Sequence, residues 1–361
     1  MNKKKMEFVS EKKVGHLLKD AQYLLLLGER SNGKSYAAKS YCINQFLKRN
    51  EMFIYLRRYD LDVKDSVAVN YFSDLPVEQM TDGEYTQIDV FRHGIYFANV
   101  DPKTLKIKRG KKIGFTQSLS GAEHQKSLQY PEVNNILFEE FLPKNGQYLY
   151  DEPNALQHHV STILRLRSGK VLLVGNTLTR ICPYYSAWGM QKTAKMKLNT
   201  VDTYIFPNKE GPDTTVKVYR TDSLGFNSGM FFGSSAENIT GGEYETEPQP
   251  KLPKSIRDYN VLYTMVLQHE YLMFYMQLMQ DKAEPNNIVW YVTPKTSPIK
   301  PNTRVISTEF STDPLYTRYL IGLTPNEQQV IDMIKKSKIC FSDDLTGTEF
   351  NIILPNFTRV R

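Results

Sequence analysis

The fold of this chain is decided by Leu24-Leu25-Leu26-Leu27-Gly28-Glu29-Arg30-Ser31-Asn32-Gly33-Lys34-Ser35, where an apolar run leads directly into the pattern G-x-x-x-x-G-K-S. The apolar run predicts a buried strand, and residues 36–47 predict a helix after it. A glycine-rich loop between a strand and a helix is typical of phosphate binding, because its backbone N–H groups point at the anion near the positive end of the helix. The alternative is a chance match in a glycine turn.

The residue types in this loop predict ATP and Mg²⁺ as cofactors. Gly28 and Gly33 allow backbone conformations that a side chain would block. Lys34 is expected to reach the β- and γ-phosphates, and the Ser35 hydroxyl is expected to bind Mg²⁺. The residues predicted to hold the nucleotide are Gly28, Glu29, Arg30, Ser31, Asn32, Gly33, Lys34, Ser35, Tyr36 and Asn176.

The composition is that of a globular protein with an excess of positive charge. The 361 residues carry a net charge of +7, with 40% hydrophobic and 24% charged residues, which favours two domains and an acidic partner such as nucleic acid. The three cysteines are widely separated, so we expect neither a metal site nor a disulfide framework, and a reducing compartment. No stretch approaches a membrane span, and no membrane partner is expected.

A second decisive stretch is Val133–Phe141, an apolar strand that ends in two carboxylates. Beside a phosphate loop, Glu139 would belong to the Mg²⁺ shell and Glu140 would polarise the attacking water. The alternative for Glu140 is an ordinary carboxylate at a strand end. A further buried strand begins at Lys170 and leads to Asn176, which would lie across from the γ-phosphate. Strands joined by helices predict a mostly parallel sheet, that is, an ASCE-type P-loop NTPase domain of the α/β class.

Basic residues stand at several candidate sites. Arg57 and Arg58 follow the second predicted strand, where they would sense nucleotide or reach a neighbouring subunit. The alternative is that they are solvent-exposed residues at the end of the strand. The segments Val90–Asn99 and Leu105–Lys112 predict a β-hairpin around Asp101-Pro102. Its second half is strongly basic, for which a charged edge that resists aggregation is the simpler explanation. His158 and His159 lie on a predicted helix without a third metal ligand, which favours packing or surface roles.

The composition changes after Pro207, which predicts three regions. Residues 1–207 are expected to form the ATPase domain, 208–255 a linker or extended lobe, and 256–361 a smaller α+β domain. The apolar residues between 259 and 282 fit strands or a helix, and periodicity does not decide between them. A helix is predicted from Thr324 to about Lys338.

The chain resembles the DNA-packaging (encapsidation) ATPases of small short-tailed bacteriophages of the Picovirinae type, relatives of the terminase large subunit. The resemblance lies in 28–36, 53–59, 136–141 and 162–167 before Gly175-Asn176. It implies a homo-oligomeric ring, a pentamer, on the portal of a procapsid in the host cytoplasm, driving double-stranded DNA inward with ATP. The sequence does not decide whether a scaffold RNA joins the ring to the portal.

The same resemblance implies roles for individual residues. Arg165 is expected to be the arginine finger supplied to the neighbouring subunit, with Arg167 as the alternative, because the alignment slips near Ser168. Arg57 and Arg58 are implied to form the lid or subunit-signalling pair, and Lys144 falls where the family's DNA-gripping loop lies. The family carries Asp where Glu139 stands, and its second domain is implied to be a degenerate ribonuclease H-like fold that binds nucleic acid.

The function predicted from these features is an ATP-hydrolysing translocase of double-stranded DNA. Three other functions stay open at this point. They are a helicase or recombination ATPase, a nuclease with a regulatory ATPase, and an assembly protein that binds ATP without turnover.

Overall fold

Two compact units make up the chain in the computed structural model. The structure describes residues 8–121, 129–143, 147–165, 167–176, 182–209, 211–222, 248–269, 272–296, 299, 303–318, 325 and 338–358. Among these, the first unit holds the residues up to 222 and the second holds the residues from 248 onward.

Helices and strands alternate through most of the first unit. Its helices are α1 (Glu11–Leu18), α2 (Lys34–Arg49), α3 (Asp65–Phe72), α4 (Val77–Met80), α5 (Glu152–Leu164) and α6 (Pro183–Ala187). Its strands are β1 (Tyr23–Gly28), β2 (Met52–Arg57), β3 (Gln87–Phe91), β4 (Gly94–Val100), β5 (Ile107–Ser118), β6 (Val133–Glu139), β7 (Lys170–Asn176), β8 (Thr200–Phe206) and β9 (Thr214–Arg220).

The strands of the first unit form one mixed sheet, nine-stranded in the part that the structure describes, in the order β3-β4-β5-β2-β6-β7-β1-β9-β8. The six central strands from β5 to β9 pair in parallel, and antiparallel pairs add β4, β3 and β8 at the two sides. The predicted mixed α/β architecture with a mostly parallel sheet is confirmed.

The predicted apolar strand is buried at the centre of this sheet. Leu24–Leu27 are at most 2% exposed, and α2 packs over Leu24 and Leu26 through Ala37 and Ala38. Burying each leucine contributes about 2 kcal/mol, which fixes the position of the loop that joins β1 to α2.

The prediction that 208–255 is a linker or lobe is wrong for β9. This strand pairs in parallel with β1 from Tyr23 to Leu27, and its Val216 and Val218 are buried, so it belongs to the central sheet. The proline and glycine residues at 207, 211 and 212 lie at the turn between β8 and β9 and not at a domain boundary.

The predicted basic hairpin is present as β4 and β5. Its first strand, predicted from Val90 to Asn99, is split into β3 and β4 by Arg92 and His93, which both have positive φ. Residues 107–111 of β5 are exposed and extend past the part of the strand that pairs with β2.

The second unit contains a separate sheet. Its elements are β10 (Tyr259–His269), β11 (Leu272–Asp281), β12 (Ile288–Pro294), β13 (Arg304–Ser307), β14 (Tyr316–Arg318), β15 (Ile339–Phe341), α7 (Asp344–Ile353) and α8 (Pro355–Thr358). Within the described ranges the strand order is β14-β13-β10-β11-β12-β15. Of the two possibilities for the apolar residues between 259 and 282, the structure has strands, since β10 and β11 pair in an antiparallel direction.

The core of the second unit lies between its sheet and α7. Phe350 of α7 packs against Phe274 and Phe341, while Trp290 is fully buried. Two acidic side chains of this unit have structural roles, since the Asp343 side chain caps α7 and Asp344 pairs with Lys251. The helix predicted from 324 to 338 lies outside the described residues.

No helix in the described ranges combines the length and the apolar character that crossing a bilayer requires.

His159 provides a test of the packing between α5 and the sheet. It is 4% exposed, with Nε2 2.9 Å from Gln117 Oε1, and burial lowers its pKa to about 4. The unfolded chain, with an ordinary pKa near 6.5, therefore binds more protons between pH 6.5 and 4. We expect the free energy of unfolding to fall by about 3 kcal/mol across this window, measured by urea denaturation.

The variant His159→Gln should lose this part of the acid dependence, whereas His158→Gln, at an exposed position on the same helix, should retain it. Equal acid dependence in both variants would contradict the assignment.

Candidate functional site

The glycine-rich loop joins the carboxyl end of β1 to the first turn of α2 in a strained backbone path. Ser31 and Gly33 have φ angles of 61° and 86°. A Cβ atom built on Gly28 would lie 1.8 Å from Thr221 Oγ1, so a side chain at this position would displace its neighbours. Thr221 also contacts Asn32, whose Nδ2 donates to Oγ1. The sequence analysis missed Thr221, because it follows β9 and no local pattern relates it to the loop.

Lys34 is the buried charge at the centre of the loop. Its ammonium group donates to Gly28 O at 3.1 Å, Glu29 O at 2.5 Å and Asn32 Oδ1 at 3.0 Å, and Asn176 Oδ1 lies 3.2 Å away. Burial lowers the Lys34 pKa to about 8, since desolvation disfavours the charged form. The structure thus brings Asn176, predicted from a separate strand, into contact with the loop lysine.

The two residues predicted to hold Mg²⁺ also lie together. Ser35 Oγ donates to Glu139 Oε2 at 3.3 Å, and the Tyr71 hydroxyl donates to Glu139 Oε1 at 2.6 Å. Burial raises the Glu139 pKa above its usual value. A hydroxyl and a carboxylate are hard oxygen ligands, and Mg²⁺ bound with a nucleotide usually takes one or two protein carboxylates plus phosphate oxygens. The residues present therefore fit Mg²⁺.

Glu140 follows this carboxylate but has a different environment. It is half-exposed, with a positive φ of 59°, and its Oε2 accepts from Arg57 Nη2 at 2.5 Å. Asp62 lies 3.9 Å from the same guanidinium. Arg57 thus contacts the predicted water-polarising residue of its own chain.

Arg58 does not fit the predicted subunit-signalling role. It is 4% exposed, and its guanidinium pairs with the fully buried Glu152 at 2.7 and 2.9 Å. It also donates to the carbonyl oxygens of Glu140 and Phe141 at 3.1 and 2.8 Å. Because breaking such a buried pair is costly, Arg58 holds the backbone after β6 in place and cannot reach a neighbour in this structure.

The two candidate finger arginines lie at the edge of the sheet opposite the glycine-rich loop. Gly28 pairs with Asn176 at the carboxyl end of β7, whereas Arg165 and Arg167 precede Lys170 at its amino end. Seven residues of β7 separate the two edges by about 20 Å. Neither arginine can therefore serve the site of its own chain.

The structure distinguishes the two arginines. The Arg167 guanidinium donates to four carbonyl oxygens, with Nη1 contacting Pro131 and Val133 and Nη2 contacting Tyr130 and Ile163. Arg165 ends α5 with a positive φ of 53°, and its side chain is exposed. Arg167 is thus committed to its own chain, and only Arg165 remains as a candidate finger.

The remaining residues that were predicted to bind nucleotide differ in their exposure to solvent. Glu29 is 6% exposed, Tyr36 is 43% exposed, and Arg30 lies at the surface of the loop. Lys144, predicted to contact DNA, lies outside the described residues.

The fold and the site define a mixed α/β protein with a largely parallel sheet. At the carboxyl edge of this sheet, a glycine-rich loop leads from a strand into a helix and lies beside a buried carboxylate. The chain belongs to the family described as Podovirus DNA encapsidation protein (Gp16), whose sequence model matches residues 8–214, more than half of the chain.

Several known proteins are similar to this chain. The DNA packaging protein of Bacillus phage B103 is 32% identical over 177 residues, covering 48% of this chain and 50% of that protein. The DNA packaging protein of Bacillus phage phi29 is 29% identical over 222 residues, covering 61% of this chain and 58% of that protein. The chain thus spans between half and three-fifths of the length of these curated relatives.

A solved structure extends the comparison of the fold. A chain in the bacteriophage Phi-29 viral genome packaging motor assembly is 21% identical, with a TM-score of 0.57, over 98% of this chain and 99% of that one. At this identity the likeness concerns the fold alone.

The contacts of the two arginines predict effects of different size on stability. Arg167→Ala removes four hydrogen bonds to carbonyl oxygens and should lower the free energy of unfolding by about 2–4 kcal/mol. Arg165→Ala should change it by less than about 0.5 kcal/mol, as is usual for exposed side chains. Thermal denaturation followed by circular dichroism measures both, and a large loss for Arg165→Ala would contradict the assignment.

Proposed function

We propose that this protein is an ATP-hydrolysing motor that moves double-stranded viral DNA into a preformed capsid. The observation that carries the proposal is the convergence of Lys34, Ser35, Glu139 and Glu140 at one edge of the sheet. One strand, β7, lies between the loop strand β1 and the acidic strand β6, which is the order expected of an ASCE-type P-loop NTPase. The names of the relatives, DNA packaging proteins, supply the substrate.

The loop residues from Gly28 to Tyr36 would surround the phosphates of ATP. Lys34 would exchange its contacts with loop carbonyl oxygens for phosphate oxygens, which also restores a partner that favours its charged form. Ser35 and Glu139 would hold Mg²⁺, which when bound neutralises charge on the phosphates. Asn176 would then face the γ-phosphate.

Glu140 is proposed to accept a proton from the attacking water. Its half-exposed position at the end of β6 allows water to approach, while Arg58 fixes its backbone from the buried side. In this structure the Glu140 carboxylate pairs with Arg57, and this ion pair would have to rearrange for both carboxylate oxygens to face water.

Arg165 is proposed to act in trans, in a ring of identical subunits of which a pentamer is the expected form. Its location at the edge opposite the glycine-rich loop excludes its own site but suits a contact with the next subunit's γ-phosphate. A guanidinium there would stabilise charge in the transition state.

The proposed partners are double-stranded DNA and the portal of the procapsid, and the proposed location is the host cytoplasm. Whether a scaffold RNA is a further partner is left to experiment. The net charge of +7 favours contacts with DNA phosphates, which would be independent of sequence and sensitive to salt. Lys144 remains the proposed DNA contact within the ATPase domain.

The second unit is proposed to be a degenerate ribonuclease H-like domain that binds nucleic acid. An antiparallel meander β10-β11-β12 with β13 and β14 added in parallel beside β10 supports this assignment. In the described ranges, no group of three or more His, Cys, Asp or Glu side chains could hold a metal ion.

ATP turnover tests the central proposal. Glu140→Gln should bind ATP normally but hydrolyse it at least about a hundredfold more slowly, because an amide cannot take a proton from water. Lys34→Ala should lose turnover altogether, and Glu132→Gln, at an exposed position at the other end of β6, should behave as wild type. Phosphate release and binding of a fluorescent ATP analogue measure both properties.

Normal hydrolysis by Glu140→Gln would show that Glu140 does not activate the attacking water, and Glu139 would be the next residue to substitute. Strand separation by the wild-type protein would favour a helicase. Metal-dependent cutting of plasmid DNA would favour a nuclease. ATP binding without phosphate release would favour an assembly protein.

Mixing variants tests the ring. Arg165→Ala alone should bind ATP without turning it over, and it should regain partial activity when mixed with Lys34→Ala, which has an intact finger. A trans finger contributes about 10³–10⁵ in rate, so the restored signal should exceed either variant alone. Full activity of Arg165→Ala, or the absence of any restoration, would reject a trans role for Arg165.

A further inference from the structure

Tyr71 of α3 reaches the predicted metal site from a part of the chain that carries no nucleotide-binding motif. Its hydroxyl donates to Glu139 Oε1 at 2.6 Å, while Glu139 Oε2 accepts from Ser35 Oγ at 3.3 Å. The two oxygens of one buried carboxylate thus have different partners. Oε1 is held by α3, and Oε2 faces the loop serine.

Tyr71 is itself held from two sides. Its ring stacks on the ring of Tyr55, with centroids 4.5 Å apart and planes at 20°. Lys39 of α2 donates to the Tyr71 carbonyl at 2.6 Å, lies 4.6 Å from the ring centroid and pairs with Asp74. Since the ring and the backbone are both fixed, the hydroxyl is directed at Glu139 without a further loss of side-chain entropy.

We propose that Tyr71 is a positioning residue for Glu139 in Mg²⁺ binding, an inference that rests on the proposed ATPase function. Glutamate has one more rotatable bond than aspartate, so its carboxylate has more rotamers from which to approach a metal. The Tyr71 hydrogen bond selects the rotamer in which Oε2 lies beside Ser35. Hydrogen bonds that orient a metal-binding carboxylate commonly raise metal affinity by about 10–100-fold.

The substitution Tyr71→Phe removes the hydroxyl and leaves the stacked ring. Binding of a fluorescent ATP analogue is titrated in EDTA and then against MgCl₂, and Mn²⁺ binding is followed by electron paramagnetic resonance. We expect unchanged affinity in EDTA, together with an increase of about 10-fold or more in the Mg²⁺ concentration needed for half-maximal binding and a matching loss of Mn²⁺ affinity.

Tyr184→Phe is the matched control, because its hydroxyl also donates to a buried carboxylate, Glu152, at 2.8 Å. It should leave the Mg²⁺ titration unchanged, which separates positioning of the metal ligand from general loss of a buried hydrogen bond. An unchanged Mg²⁺ titration and unchanged Mn²⁺ binding in Tyr71→Phe would overturn the inference, as would an equal shift in Tyr184→Phe.

A double substitution provides a second test. In Glu139→Asp the shorter side chain withdraws the carboxylate from the Tyr71 hydroxyl. Adding Tyr71→Phe to Glu139→Asp should therefore have no further effect on Mg²⁺ dependence, whereas a purely additive effect would contradict the inference. If the wild-type protein binds no nucleotide at all, the proposed function fails, which is a different result from a normal titration in Tyr71→Phe.

Discussion

The parallel pairing of β1, β7 and β6 is the constraint on which the site depends. Register places Gly28 opposite Asn176 and Val174 opposite Glu139, so three strands end at one edge of the sheet. Parallel strands need a crossover connection, and here α2 and α5 supply helices that begin at this same edge. The loop, the amide of Asn176 and the carboxylate of Glu139 meet for this reason, although they are far apart in the sequence.

Two buried ionisable side chains lie at this edge of the sheet. Lys34 and Glu139 are both nearly inaccessible, and burial shifts their pKa values toward the neutral forms. Charges in such positions are stable only with close polar partners, and the loop carbonyl oxygens, Ser35 and Tyr71 provide them. A hydrophobic pair would have stabilised the fold at least as well, so the burial of these charges is consistent with the proposed nucleotide site.

Neighbouring arginines in this chain lie in different environments, although they stand side by side in the sequence. Arg57 points to Glu140 near the surface, and Arg58 points inward to Glu152. Likewise Arg165 is exposed at the end of α5, whereas Arg167 is held by four carbonyl oxygens. The sequence motif presents each as a pair, and burial alone separates the members.

The sequence by itself determined the parts of the protein whose signals are local. The apolar run 24–27, the glycine spacing and the acid pair at the end of an apolar strand predicted β1, the loop, α2 and β6 with their residues, because each pattern lies within one element. Only the tertiary structure placed β9 beside β1, Thr221 against Gly28 and Tyr71 on Glu139. These contacts join residues that are distant along the chain. Packing in three dimensions selects them from many possible pairings, and no local pattern in a single sequence specifies that selection.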